Sequence, residues 1–400
     1  FSLAAQAESA GFRPCLRCRP EMAPRATEWT WSIQDASHIL AGQAAQLLDS
    51  PEGWSDAPPS VQRLAQRLGV SDRHVRRIFE SRFGISPLQY LQTRRLLAVK
   101  QLLADTRLPM PEVALASGFA SLRRFHDAFQ RHYGLSPGAL RRAAAPATTG
   151  VVQVRLGWRP PYDVAAMVGF LGRRALPGME QASDDGLGLQ RTLRLGQGDS
   201  ARTGWLQVQF EPEATRLQVR LSESLAPLLP VLIARVRGWL DLDADPASIN
   251  AVLHPFFPHA YGLRVPGSFD GFELAVRAVL GQQVTVAASC TFAQRLVAQF
   301  GAPLATPWPE LNRLFPTPAV LALADSNTLG QLGIVRQRQA AIVALARAVG
   351  SGSLELHGGA DVAATTAQLC QLPGIGDWTA QYIALRALRW PDAFPSGDVA

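Results

Sequence analysis

Apolar positions along the chain keep one period up to about residue 143 and change character after residue 150. In the first stretch the spacing is helical. It predicts a helix over 32–48, a turn rich in proline and small polar residues over 51–60, and a short amphipathic helix from Val61 that Gly69 stops. Ser71 is placed to cap the next helix through Phe79, a long helix follows over 89–104, and helices over 110–116 and 121–133 repeat the short-helix, turn, helix arrangement. Both halves close alike, in Phe83-Gly84-Ile85-Ser86-Pro87 and Tyr133-Gly134-Leu135-Ser136-Pro137.

The run 143–150 has the composition of a flexible linker, and strict alternation then begins. Strands are predicted over 151–156, 187–195, 204–210 and 217–221, with helices over 163–174 and 225–240, which makes a small α+β unit. From Ala244 the pattern is wholly helical. Residues 272–284 are apolar almost all round, as in a helix central to a bundle. Gln282 and Gln283 interrupt that run, and buried unpaired amides are costly, so they are either exposed at a cleft or hydrogen-bonded. Near the end, helical spacing over 362–372 is stopped by Pro373 and Gly374, Gly376 permits a tight turn, and Asp377 can cap a second helix reaching about 388. Two helices joined by a glycine hairpin result.

Four hundred residues, 47% hydrophobic and 18% charged, give a globular chain of several domains with ample core. No apolar run reaches membrane-spanning length. The net charge of +7 is uneven: residues 57–142 hold 15 basic groups against 5 acidic ones, nearly all arginine, while residues 151–400 balance to zero. A basic block the size of one small domain is the footprint of a nucleic-acid partner. Four cysteines provide no disulfide scaffold, which favours a reducing cytoplasm. The chain opens on Phe1 and closes on Asp398-Val399-Ala400, which reads as an unfinished helix, so a fragment is expected.

Cys15 and Cys18 form a Cys-x-x-Cys pair among arginines and prolines, able to give two thiolates to tetrahedral zinc. Cys290 and Cys370 sit in apolar helical contexts and are expected in a core, which leaves the site half complete. The surrounding Gly11-Phe12-Arg13-Pro14-Cys15-Leu16-Arg17-Cys18-Arg19-Pro20 resembles the second half of the zinc-binding methyl-acceptor domain of Ada-type repair proteins. In that family the pair carries two of the zinc ligands and an earlier cysteine accepts the methyl group. The resemblance therefore implies an incomplete zinc site and no methyl transfer here.

The paired turns, the Gly118-Phe119 pair and both Gly-x-Ser-Pro endings resemble the AraC-type DNA-binding domain, over about 57–143. Arg73, Arg76 and Arg77 share one face of the first recognition helix, and Leu122, Arg123, Arg124 and His126 are candidates on the second. Trp158-Arg159-Pro160-Pro161-Tyr162-Asp163, the stretch 275–282 and the hairpin with Trp378, Tyr382 and Asp398 resemble AlkA-type 3-methyladenine glycosylases of the helix-hairpin-helix superfamily, over about 151–400.

That resemblance implies hydrolysis of the N-glycosidic bond of alkylated purines after the nucleotide is flipped out of the duplex. Asp398 matches the catalytic aspartate, Trp378 and Tyr382 the base pocket, and Gln282 and Gln283 the DNA-intruding positions. Gly374, Ile375 and Gly376 match the DNA-gripping hairpin, and the carbonyls of Cys370, Leu372 and Ile375 match a monovalent cation site. Bifunctional members carry a lysine at the position of Trp378, so a monofunctional glycosylase is implied.

The expected fold class is multidomain and mainly α. It comprises a zinc-binding remnant (1–30), an AraC-type double helix-turn-helix (57–143), a small α+β domain (151–243) and an all-α, truncated glycosylase domain (244–400). Expected partners are alkylated and operator double-stranded DNA and RNA polymerase, with no membrane. The competing reading is a transcription regulator whose C-terminal half binds damaged DNA without catalysis.

Overall fold

The computed structural model describes residues 4–12, 36–49, 54, 59–143, 150–196, 198 and 201–396. Cys15, Cys18 and Asp398 lie outside the described residues, as does most of the 143–150 linker. The helices are α1 (Ala4–Ser9), α2 (Ala36–Asp49), α3 (Val61–Arg67), α4 (Asp72–Phe83), α5 (Pro87–Asp105), α6 (Met110–Ala116), α7 (Leu122–Tyr133), α8 (Pro137–Ala143), α9 (Val164–Gly172), α10 (Leu229–Trp239), α11 (Pro246–Leu253), α12 (Gly271–Leu280), α13 (Val286–Phe300), α14 (Pro318–Ala322), α15 (Ser326–Gln331), α16 (Arg336–Gly350), α17 (Val362–Gln371) and α18 (Asp377–Arg386). The strands are β1 (Val151–Gly157), β2 (Glu180–Ala182), β3 (Gly188–Leu195), β4 (Arg202–Glu211) and β5 (Arg216–Ser222).

These elements form two compact units. One comprises Phe1–Pro160, Glu213–Ala234 and Leu242–Ile249, and the other Pro161–Pro212, Arg235–Asp241 and Asn250–Ala400.

In the first unit each turn of the double helix-turn-helix is set by a serine. Ser60, Ser71, Ser86 and Ser121 accept hydrogen bonds from the backbone N–H groups of Arg63, His74, Gln89 and Arg124. α4 and α7 both end on a left-handed glycine, Gly84 at φ +67° and Gly134 at φ +71°. Val75, Ile78 and Phe79 of α4 are buried in a core shared with α2 and α3, so the arginines on the remaining face are left outside. β1 pairs antiparallel with β5, from Val151 opposite Ser222 to Gly157 opposite Arg216.

In the second unit β3 pairs antiparallel with β4 and with β2. β2 was not predicted, because three residues are too few to show alternation. The segment expected as one helix over 225–240, of which residues up to Ala234 belong to the first unit and Arg235 onward to the second, is a 3-10 turn (Glu223–Leu228) followed by α10, since the proline nitrogens of Pro227 and Pro230 cannot donate. α12 is buried along its length and packs on α13, α16 and α18 around a core that includes Ala275, Val276, Val279, Leu345 and Ile383. Cys290 packs against this core, but Cys370 is exposed, contrary to the expectation of a buried thiol. α17 is short and half-open, and Cys370 falls on its outer side.

Candidate active site

α17 stops where Pro373 removes a donor and Gly374 takes φ +74°, an angle glycine adopts without a Cβ penalty. Gly376 needs no such freedom, for its φ of −95° and ψ of 178° are extended backbone and a Cβ there would meet nothing within 4 Å. The open space leaves the outer face of the hairpin bare to another molecule. Gly376 is itself the N-cap, so Asp377 is the first helical residue and not the cap. The turn is completed at Gly374, one step earlier than a capping Asp377 requires. Among the described residues the N–H groups of Gly376, Asp377, Trp378 and Thr379 have no acceptor, which makes this helix start suited to a phosphate.

The carbonyls at the hairpin differ in use. Leu372 O accepts from Ile375 N at 3.2 Å and Gly374 O from the Gln282 side chain at 2.9 Å. The Cys370 and Ile375 carbonyls accept no hydrogen bond among the described residues. Such oxygen donors fit a hard monovalent cation. Among the described residues no cluster of three or more His, Cys, Asp or Glu could hold a metal.

One helical turn into α18 the rings of Trp378 and Tyr382 stack on each other, with centroids 5.3 Å apart and planes at 11°. They line a cavity of about 370 Å³ together with Leu171, Trp239 and Phe269. The buried Trp378 Nε1–H has no hydrogen-bond partner among the described residues. Arg386 is fixed by the carbonyls of Pro266 (2.8 Å) and Gly267 (3.1 Å), donates to the Tyr382 hydroxyl and stands 5.3 Å from that ring's centroid. Arg174 lies 3.8 Å from the Phe170 ring, and burial holds its pKa below the ordinary guanidinium value, with Arg386 adding to the effect.

The cavity floor is a closed ring of four charges. Arg191 meets Glu273 at 2.7 Å and Glu180 at 3.0 Å, and Arg277 meets both carboxylates at 2.9 Å. Burial opposes ionisation of Glu180, but Arg277 and Arg191 outweigh it and hold its pKa below the usual range. Glu273, inside the same ring, is pushed up by burial and by its neighbour Glu180. Burial also works against the charge of Arg277, yet the two carboxylates drive its pKa further up. Sequence reasoning missed this ring. The available signal was Glu273 and Arg277, two opposite charges four residues apart in the otherwise apolar run Phe272–Leu280.

Gln282 and Gln283 part company. The Gln282 amide donates to Gly374 O at 2.9 Å and to Thr379 Oγ1 at 3.1 Å, which ties the end of α12 to the hairpin. α12 stops at Leu280, short of the predicted 284, because Gln283 turns the chain at φ +54° before Thr285 caps α13. A left-handed non-glycine residue costs about 1–2 kcal/mol. Gln283 is exposed, and its side chain is the one free to reach outward.

In the helix-turn-helix, Arg73, Arg76 and Arg77 are exposed on α4, with Arg77 Nη2 3.0 Å from His74 Nδ1. Arg123 and Arg124 are exposed on α7, while His126 is half-buried, edge-on to Phe125 at 5.0 Å. Leu122 is 41% exposed at the start of the same helix.

Residues 1–21 match the metal binding domain of Ada, 64–143 a helix-turn-helix domain, 153–270 the AlkA N-terminal domain, and 276–400 the HhH-GPD superfamily of base excision DNA repair proteins. A Mycobacterium tuberculosis protein named "Probable bifunctional transcriptional activator/DNA repair enzyme AlkA" is 36% identical over 408 residues, covering 99% of this chain and 78% of that protein. DNA-3-methyladenine glycosylase 2 of Escherichia coli is 36% identical over 245 residues, 61% of this chain and 83% of the relative. The solved 3-methyladenine DNA-glycosylase of Archaeoglobus fulgidus shares the fold, with a TM-score of 0.52 at 20% identity over 62% of this chain and 82% of its own. The chain belongs to the family that joins an Ada-type metal-binding segment and an AraC-type helix-turn-helix regulator to an AlkA-type DNA glycosylase.

Proposed function

We propose that this protein is a monofunctional DNA-3-methyladenine glycosylase fused to a sequence-specific transcription regulator of the response to DNA alkylation. The observation that carries the reading is the stacked Trp378–Tyr382 pair, lining a cavity from the same helix whose start presents free N–H groups. In this reading the hairpin, with a monovalent cation on the free carbonyls, grips a phosphate beside the lesion. The alkylated nucleotide rotates into the cavity against the aromatic pair, and Gln283 occupies the gap. The C1′–N bond breaks with its electron pair leaving on the base. Asp398 stabilises the oxocarbenium-like sugar and orients the water that adds at C1′.

Trp378 offers no amine to form a Schiff base. Borohydride added during reaction with alkylated duplex should therefore trap no protein–DNA adduct and leave an unbroken strand with an abasic site. A trapped adduct would refute the monofunctional assignment.

The regulatory half reads operator DNA through α4 and α7, and the region 1–30, with Cys15 and Cys18 as thiolate donors, holds zinc where the ligand set is completed. Regions 57–143, 151–243 and 244–400 supply the DNA reader, the α+β unit and the glycosylase. RNA polymerase is the expected partner at promoters and the cytoplasm the expected location. No described helix is long and apolar enough to cross a membrane. Replacing Arg76 and Arg77 together with alanine should weaken operator binding and reduce the salt slope by about 2 if each contacts one phosphate. An unchanged slope, measured by titration at several salt concentrations, would remove both residues from the interface.

A further inference from the structure

The turn carrying Gln283 is anchored from two directions, and one anchor lies outside the hairpin. The Gln282 side chain is tied to Gly374 and Thr379. Its main-chain carbonyl accepts a hydrogen bond from Nη2 of Arg338, in the first turn of α16. The guanidinium of Arg338 is in turn 5.9 Å from the Phe292 ring of α13, and Arg338 has no carboxylate partner among the described residues. α16 also abuts the hairpin, since a Cβ on Gly374 would come within 3.4 Å of Gln337 Cγ.

We infer that Arg338 is a positioning residue for base excision, locking the Gln282–Gln283 peptide so that Gln283 stands ready, in its left-handed conformation, to fill the gap left by the flipped nucleotide. A non-glycine residue at φ +54° persists only where its surroundings over-determine it. The Gln282 amide fixes one side of that peptide, and without Arg338 the carbonyl on the other side is free to rotate. A preformed wedge needs no ordering at the moment the base leaves the stack. Lysine can restore the hydrogen bond but not the planar fork over Phe292, so it should rescue in part.

The inference rests on the glycosylase reading, and the test separates the two. Single-turnover excision by the full-length protein is measured on one alkylated purine, placed in a paired duplex and in a one-nucleotide bulge that has no opposite base. Arg338→Ala should slow the paired substrate by about tenfold and leave the bulge rate, the melting temperature and affinity for undamaged duplex unchanged. Arg338→Lys should fall between. Equal slowing on both substrates, or no slowing, overturns the inference while leaving the glycosylase reading in place. A parallel loss of affinity for undamaged duplex with a flatter salt dependence also overturns it, because Arg338 would then be a phosphate contact. No excision by the unaltered protein on either substrate refutes the glycosylase reading, and the inference falls with it.

Discussion

Asp398→Asn is expected to lower the rate of 3-methyladenine release from alkylated duplex by at least about a hundredfold, the size of effect seen when one charge-stabilising group is removed from an active site. Affinity for the duplex should change little. Departure of the base leaves positive charge on the sugar, and asparagine matches aspartate in shape but carries no charge to oppose it. In the proposed reading the hairpin and the aromatic pair, both left intact, bind and flip the nucleotide, so the loss is expected in the chemical step and in kcat rather than in binding. Equal release by the two proteins would remove Asp398 from the mechanism and favour a C-terminal half that binds damage without excising it.

The second large effect concerns stability. Arg191→Met is expected to destabilise the glycosylase half by about 3–5 kcal/mol, because it leaves two buried carboxylates to share one arginine. Arg191 is 4% exposed and Glu273 6%, so water cannot take over the lost contacts. The ring joins β2 and β3 to α12, and the change should lower the urea midpoint and loosen the cavity floor, weakening excision as well. A midpoint unchanged within error would show that the remaining Arg277 satisfies both carboxylates alone.

What the sequence made legible follows from how local each feature is. The serine caps and glycine ends of the double helix-turn-helix depend on residues within four positions of one another, and they are readable as written. The glycine hairpin is local too, although the cap falls on Gly376 rather than Asp377 because φ and ψ there, not residue type, decide which position caps. In the charge ring only Glu273 and Arg277, four apart on α12, could be paired by spacing; Glu180 and Arg191 come from β2 and β3, and no spacing rule brings them to that pair. Arg386 follows Tyr382 by one helical turn, a relation open to the sequence, but the carbonyls of Pro266 and Gly267 that fix it lie more than a hundred residues earlier and no local pattern points to them. For the glutamines, polarity within an apolar run left exposure and hydrogen bonding equally open. The structure shows one of each, Gln282 bonded and Gln283 exposed.

The most direct test of the central claim is chromatography of the material freed when the full-length protein is incubated with methylated duplex DNA. The account predicts free 3-methyladenine in solution, matched one for one by abasic sites in strands that stay unbroken. Tight binding of the methylated duplex with no base released would contradict it.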